Sequence, residues 1–167
     1  MIAETITVFL SNIPVVMFIA AVLVALLTKR PASAPERYFS WLLLLSVGVE
    51  ALWGGLFHVF FPEMASAQIG WQPSPYEFEI GIADISLGIV AIAAFWRSLS
   101  FKSAIATFAV LFDAGVLIGH VQQAFAASNF SPDNFGAMQV VTALHVIMLP
   151  VLMWVIWRKP AARAHGA

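Results

Sequence analysis

The chain has 167 residues, of which 61% are apolar and only 10% charged, with a formal net charge of −1. A soluble domain carries about 45–50% apolar and about 25% charged residues, so an ordinary water-soluble globule is excluded, and the lack of net positive charge excludes electrostatic binding of nucleic acid. The absence of cysteine removes disulfide frameworks, thiolate zinc sites, iron–sulfur clusters and cysteine nucleophiles together.

A bilayer crossing takes about 20 mainly apolar residues at 1.5 Å of rise each. The first stretch that qualifies, residues 5–28, follows Met1-Ile2-Ala3-Glu4 and has no positive n-region. It is also too long for a secretory signal, so it reads as a retained helix. Breaker chemistry at residues 29–35, with Pro31 and Pro35, leads to a second span at 38–61. The segment 62–75, bounded by Pro62 and Pro75, reads as a loop before a third span at 79–96. Residues 97–102 then separate it from a fourth at 103–126, and residues 128–134, with Pro132, precede a fifth at 137–157. Such short connections make sequential helices antiparallel neighbours. The fold expected is all-α, a single transmembrane domain over residues 1–167 with five helices in contact with the lipid bilayer.

Loop charge sets the orientation. Lys29, Arg30, Arg37, Arg97, Lys102, Arg158, Lys159 and Arg163 all fall on one side with Glu36, while Glu4, Glu63, Glu77 and Asp133 fall on the other. By the positive-inside rule the N-terminus is outside and the C-terminus cytoplasmic, in a cell inner membrane. Trp41, Trp96, Trp154 and Trp157 stand near the cytoplasmic ends and Trp71 and Tyr76 near the outer ones, as interfacial anchors do.

Glu50, His58, Glu79, Asp84, Asp113, His120 and His145 lie within predicted spans. A carboxylate at a helix centre costs roughly 2.5–3.5 kcal/mol on insertion scales, and such groups face a bundle interior and find partners. All but Asp113 fall in the outer half or at its border, on four helices, so convergence is expected. Asp113, His120 and Gln123 share one stripe of the fourth span. Gly54, Gly55, Gly81, Gly88, Gly115 and Gly119 offer close helix approach, and Pro14 and Pro150 each free a backbone carbonyl. Each residue also has a plain structural reading: a water-bonded imidazole at His58, a first-turn acid at Glu79 and more strongly at Glu77, a neutral helix-joining acid at Asp84. Buried carboxyl–imidazole pairs are the plain alternative for Glu50, Asp113, His120 and His145.

The run from His58 through Pro62, Ala65, Ile69-Gly70-Trp71 and Ser74-Pro75 to Glu79 and Gly81 resembles the hallmark segment of an uncharacterised family of small bacterial multi-pass membrane proteins. The likeness extends more loosely to Gly119-His120. It implies a cell-membrane protein, gives weight to His58, Glu79 and His120, and carries no activity or cofactor. It also makes the Ile69-Gly70-Trp71 loop a candidate outer lid, against the reading of Trp71 as an anchor and Gly70 as a turn residue.

Three function classes stand open. The first is a metal or metallocofactor site, with Glu50, His58, Glu79, His120 and His145 as ligands for iron, copper or zinc, or with His120 and His145 as axial ligands of a haem b. Neither Glu-x-x-His nor His-x-x-x-His occurs. The second is a proton or small-cation pathway, in which Asp84, Asp113 and Gln123 are relay or supporting groups. The third is a structural membrane subunit in a homo-oligomer or larger complex, its polar cluster pinning helix register.

Overall fold

A computed structural model describes residues 12–28 and 32–158, among which there is no β-strand. Six helices make up the described chain: α1 (Ile13–Leu27), α2 (Ala34–Phe60), α3 (Pro62–Ile69), α4 (Tyr76–Ala94), α5 (Leu99–Ala126) and α6 (Ala137–Arg158). Three of them, α2, α5 and α6, are long and apolar enough to cross a membrane. The 19-residue α4 carries Glu77, Glu79 and Asp84, and α1 is described over 15 residues. Ser11, Pro31, the first part of the span expected at 5–28, and Glu4, Lys29, Arg30, Lys159 and Arg163, used above for orientation, lie outside the described residues.

Local chemistry accounts for the helix ends. Ser33 and Glu36 form a capping box at the start of α2, with Pro35 in its first turn. Ser98 Oγ accepts from the Phe101 amide at the start of α5. The segment 62–75, read from sequence as a loop, contains α3. Pro62 and Glu63 occupy its first turn and Gly70, at φ 70°, ends it in the left-handed region, so the start and stop signals sit inside what looked like breaker chemistry.

The most extensive packing joins the later part of α2 to α4, followed by α5 against α6, α4 against the middle of α2, and α1 against the middle of α2. Gly48 and Gly55 on α2 and Gly81 and Gly88 on α4 are each seven residues apart, two turns on one stripe. A Cβ at Gly55 would lie 2.6 Å from the Gly81 carbonyl oxygen, and one at Gly88 would lie 2.5 Å from the Leu52 amide nitrogen. The helices therefore meet backbone to backbone. Gly54, Gly115 and Gly119, expected to serve the same purpose, face open space within this chain. Gly88→Ala is expected to cost about 1–3 kcal/mol, because backbone must move. Gly115→Ala should be neutral or slightly stabilising, since it gains helix propensity without a clash. Thermal unfolding in detergent separates the two, and equal unfolding temperatures would show that glycine contact does not set the crossing.

The two ends of the bundle differ. At one end Lys102 Nζ donates to Ser40 Oγ at 2.8 Å, tying α5 to α2, and Trp157 Nε1 donates to Ser103 Oγ at 3.1 Å, tying α6 to α5. Arg37, Arg97 and Arg158 belong to this basic end. Its half of the bundle holds the apolar core, with Phe39, Leu42, Leu43, Ala91, Ala106, Ala109 and Leu149 all fully buried. The opposite half holds the polar side chains. Outward faces of the long helices expose large apolar residues such as Ile19, Ile89, Leu111, Ile118 and Ile147, a surface suited to lipid rather than water.

Candidate functional site

Two polar layers occupy the acidic half. The deeper one is built on a π-helical stretch, Leu42–Val49, in the middle of α2. Wide turns of this kind occur often at functional sites because they displace the side chains that follow. Here Ser46 is completely buried and Glu50 begins the α-helical part beyond the stretch. Across from them, His145 of α6 is buried, with Nε2 2.6 Å from Ser46 Oγ and Nδ1 3.2 Å from Asp113 Oδ2 of α5. Glu50 is within electrostatic reach of His145, Asp113 and Asp84, and its Oε2 is buried with no hydrogen-bond partner. Carboxyl groups on α2 and α5 thus face one imidazole from α6, and the Asp84 carboxyl on α4 is within reach of both acids.

An ionised Asp113 accepts from Nδ1–H, which leaves Nε2 to accept from the Ser46 hydroxyl. Protonation of Nε2 reverses that bond, because a hydroxyl both donates and accepts. Ser46 therefore keeps its hydrogen bond in either charge state of His145. The Asp–His–Ser order matches that of hydrolase triads. Complete burial of Ser46, however, removes its hydroxyl from any acyl substrate.

The outer layer has two linked groups. Nδ1 of His58, near the end of α2, lies 2.6 Å from Glu77 Oε2, and Glu77 Oε1 accepts from Ser66 Oγ of α3 at 2.7 Å. His120 of α5 donates from Nδ1 to Asn134 Oδ1 at 2.9 Å, and the same oxygen accepts from Trp71 Nε1 at 3.1 Å. Since Asn134 Nδ2 donates to the Asn129 carbonyl, Oδ1 is fixed as the acceptor, and His120 carries its proton on Nδ1 with Nε2 as its basic nitrogen. The Trp71 ring stacks on His120 with centroids 5.2 Å apart. His58 and His120 are within electrostatic reach of each other, which joins the two groups. In the connection between α5 and α6, partial burial raises the Asp133 carboxyl above its ordinary value.

The residues expected to converge are therefore divided. Glu50, Asp84, Asp113 and His145 come together, whereas His58 and His120 stand in the outer layer. Glu79 and Gln123 are exposed and join neither. Glu77, given its plainer reading from sequence, is the acid at His58, its side chain 8% exposed. Asn134 and Ser46 were not singled out at all. Trp71 stacks on His120 and donates to Asn134, a position compatible with both the lid and the anchor reading.

Among the described residues no group of three or more His, Asp and Glu side chains is arranged to hold a metal ion. Four of the five expected ligands are split between the layers and Glu79 joins neither, while both ring nitrogens of His145 are engaged by Ser46 and Asp113, so the donor set does not fit a shared metal or a haem held by His120 and His145.

A family model described as "Family of unknown function (DUF6790)" matches residues 11–162, nearly the whole chain and both polar layers. The chain belongs to that family. No curated protein and no solved structure matches it. Membership in the family thus agrees with the uncharacterised character of the resemblance drawn from the segment between His58 and Gly81.

Proposed function

We propose that this chain is a five-span protein of a bacterial inner membrane that takes up and releases protons at a buried carboxyl–imidazole site in the outer half of the bilayer. In this reading α1, α2, α4, α5 and α6 all cross, with the N-terminus outside and the C-terminus in the cytoplasm. Loop charge supports the orientation, since every Lys and Arg falls on one side. The 19 residues of α4 extend about 28 Å, close to the hydrocarbon thickness.

The observation that carries the proposal is the deeper layer, where Glu50 and Asp113 face His145, Asp84 stands within reach of both carboxyl groups, and Glu50 Oε2 has no hydrogen-bond partner among the described residues. An unsatisfied buried carboxyl oxygen costs about 1–3 kcal/mol, which an arriving proton or water relieves. Mere helix pinning needs no such group. Gly54, one turn outward from Glu50 on α2, has no neighbour that an added Cβ would meet, and the outer layer lies beyond it. There His58, Glu77 and His120 are the groups that exchange protons with the outer side.

Infrared titration of the purified protein tests this directly. Carboxylic C=O absorption is expected to change across a pH titration, and Glu50→Gln should remove part of the change. Dye-reported proton uptake by proteoliposomes should fall in the same variant. A carboxyl signal that does not titrate, and that Glu50→Gln leaves untouched, would reduce the cluster to a helix-pinning device.

A further inference from the structure

At the basic end a cavity of about 310 Å³ opens between the first turns of α2 and α5, lined by Arg37, Ser40, Trp41 and Lys102, with Glu36 among its walls. We propose that this cavity binds a phosphate group, carried by an anionic lipid headgroup or by a soluble phosphate ester. The inference needs the bilayer setting but not the proton-handling reading.

Cations from two helices are held there by the fold. Arg37 donates from Nε to the Ala25 carbonyl at 3.4 Å and from NH1 to the Ala32 carbonyl at 3.1 Å. Those bonds fix the guanidinium while using two of its five N–H groups. Lys102 Nζ donates to the buried Ser40 Oγ at 2.8 Å and lies 6.0 Å over the Phe95 ring. As an acceptor from Lys102, Ser40 keeps its own O–H as a donor. The Glu36 carboxylate in the same wall is partly satisfied elsewhere, because its Oε2 accepts from the amide and hydroxyl of Ser33, both at 2.9 Å. Guanidinium, ammonium and hydroxyl together form a donor set for a tetrahedral oxyanion.

Depth and size agree with a phosphate. Trp96, Trp154 and Trp157 are more than half exposed at this end, where aromatic rings sit at headgroup level. The volume is at the low end for ligand sites, enough for a headgroup and too small for a larger cofactor. Basic pockets between helices on the cytoplasmic side recognise lipid headgroups by this chemistry.

The test uses the full chain in nanodiscs of phosphatidylcholine, with or without phosphatidylglycerol, read by native mass spectrometry and thermal unfolding. Phosphatidylglycerol is expected to be retained preferentially and to raise the unfolding temperature of the unmodified protein. Lys102→Gln should weaken retention about fivefold. Arg158→Gln, whose guanidinium lies 4.0 Å over the Trp154 ring and outside the cavity, should leave retention unchanged. Displacement of the lipid by added inorganic phosphate, or stabilisation by phosphate alone, assigns the site to soluble phosphates; retention despite phosphate assigns it to the headgroup. Equal retention of the two lipids with no effect of phosphate overturns the proposal, as does unchanged retention in a folded Lys102→Gln variant. The unfolding measurement on the unmodified protein decides the matter even if that variant fails to fold.

Discussion

Asp113→Asn is expected to suppress proton uptake from the outer side on the order of a hundredfold while the protein still folds. Asp113→Ala should lose both uptake and stability. The difference follows from the contact at His145 Nδ1, 3.2 Å from Asp113 Oδ2. An asparagine carbonyl still accepts from Nδ1–H, so the imidazole keeps its orientation, but the negative charge that offsets a protonated ring is gone. Alanine leaves Nδ1–H buried without an acceptor, at about 1–3 kcal/mol. Hydrogen bonds between membrane helices average about 0.6 kcal/mol, so one contact is a weak reason to retain an acid there. If Asp113 serves only as such a contact, Asn and unmodified protein will take up protons equally, and proteoliposome uptake compared across the three proteins would exclude the proton site.

The charge arrangement gives this result its meaning. An imidazolium at His145 is faced by Asp113 and Glu50, with Asp84 within reach of both carboxylates, while Ser46 adapts to either state of the ring. The bilayer penalty therefore falls on a proton-free cluster of acids more than on one that holds a proton. Along α2, His58 is eight residues beyond Glu50, about 12 Å, too far for direct transfer. In the proposed reading, water bridges that gap. The buried apolar core that includes Phe39, Leu42 and Leu43 lies in the other direction, so the proposed reading has the site exchange protons with one face.

Sequence alone conveyed the helical class, because apolar length and loop charge are set by composition. It also pointed to convergence of the embedded acids and histidines, since burial of charge in lipid demands partners, but not to the grouping of Glu50, Asp84, Asp113 and His145 apart from His58 and His120. Register was not legible to the same degree. Glu77 and Glu79 are two residues apart in one first turn, about 200° around the helix, and depth gives no reason to prefer either. Only the packing of α4 against α2, fixed by Gly55 and Gly81, turns Glu77 toward His58. Ser46 carried no charge to draw notice, and its role depends on a π-helical stretch that has no residue signature in Leu42–Val49. Asn134 looked like one more polar loop residue, although its amide supplies donors and an acceptor at once. A polar residue next to a sequence-distant aromatic is visible only after the chain closes.

Replacing Asn134 with alanine is expected to cost about 2–4 kcal/mol, the largest stability loss in the outer layer. The side chain is completely buried; its Oδ1 accepts from Trp71 Nε1 and His120 Nδ1, and its Nδ2 donates to the Asn129 carbonyl at 2.7 Å. Alanine orphans both ring donors and that carbonyl together. Asn134→Asp keeps the acceptor and loses the donors, so it should cost less. Trp71→Phe preserves the ring over His120 and removes a single N–H, at about 1 kcal/mol. Unfolding temperatures in detergent should therefore fall in the order Trp71→Phe, Asn134→Asp, Asn134→Ala, from the smallest loss to the largest. Because Trp71 follows α3 directly, hydrogen exchange across residues 62–75 should accelerate in the same order. If Asn134→Ala unfolds and exchanges like the unmodified protein, Trp71 does not cover His120 in the membrane, and the segment after α3 is an interfacial anchor after all.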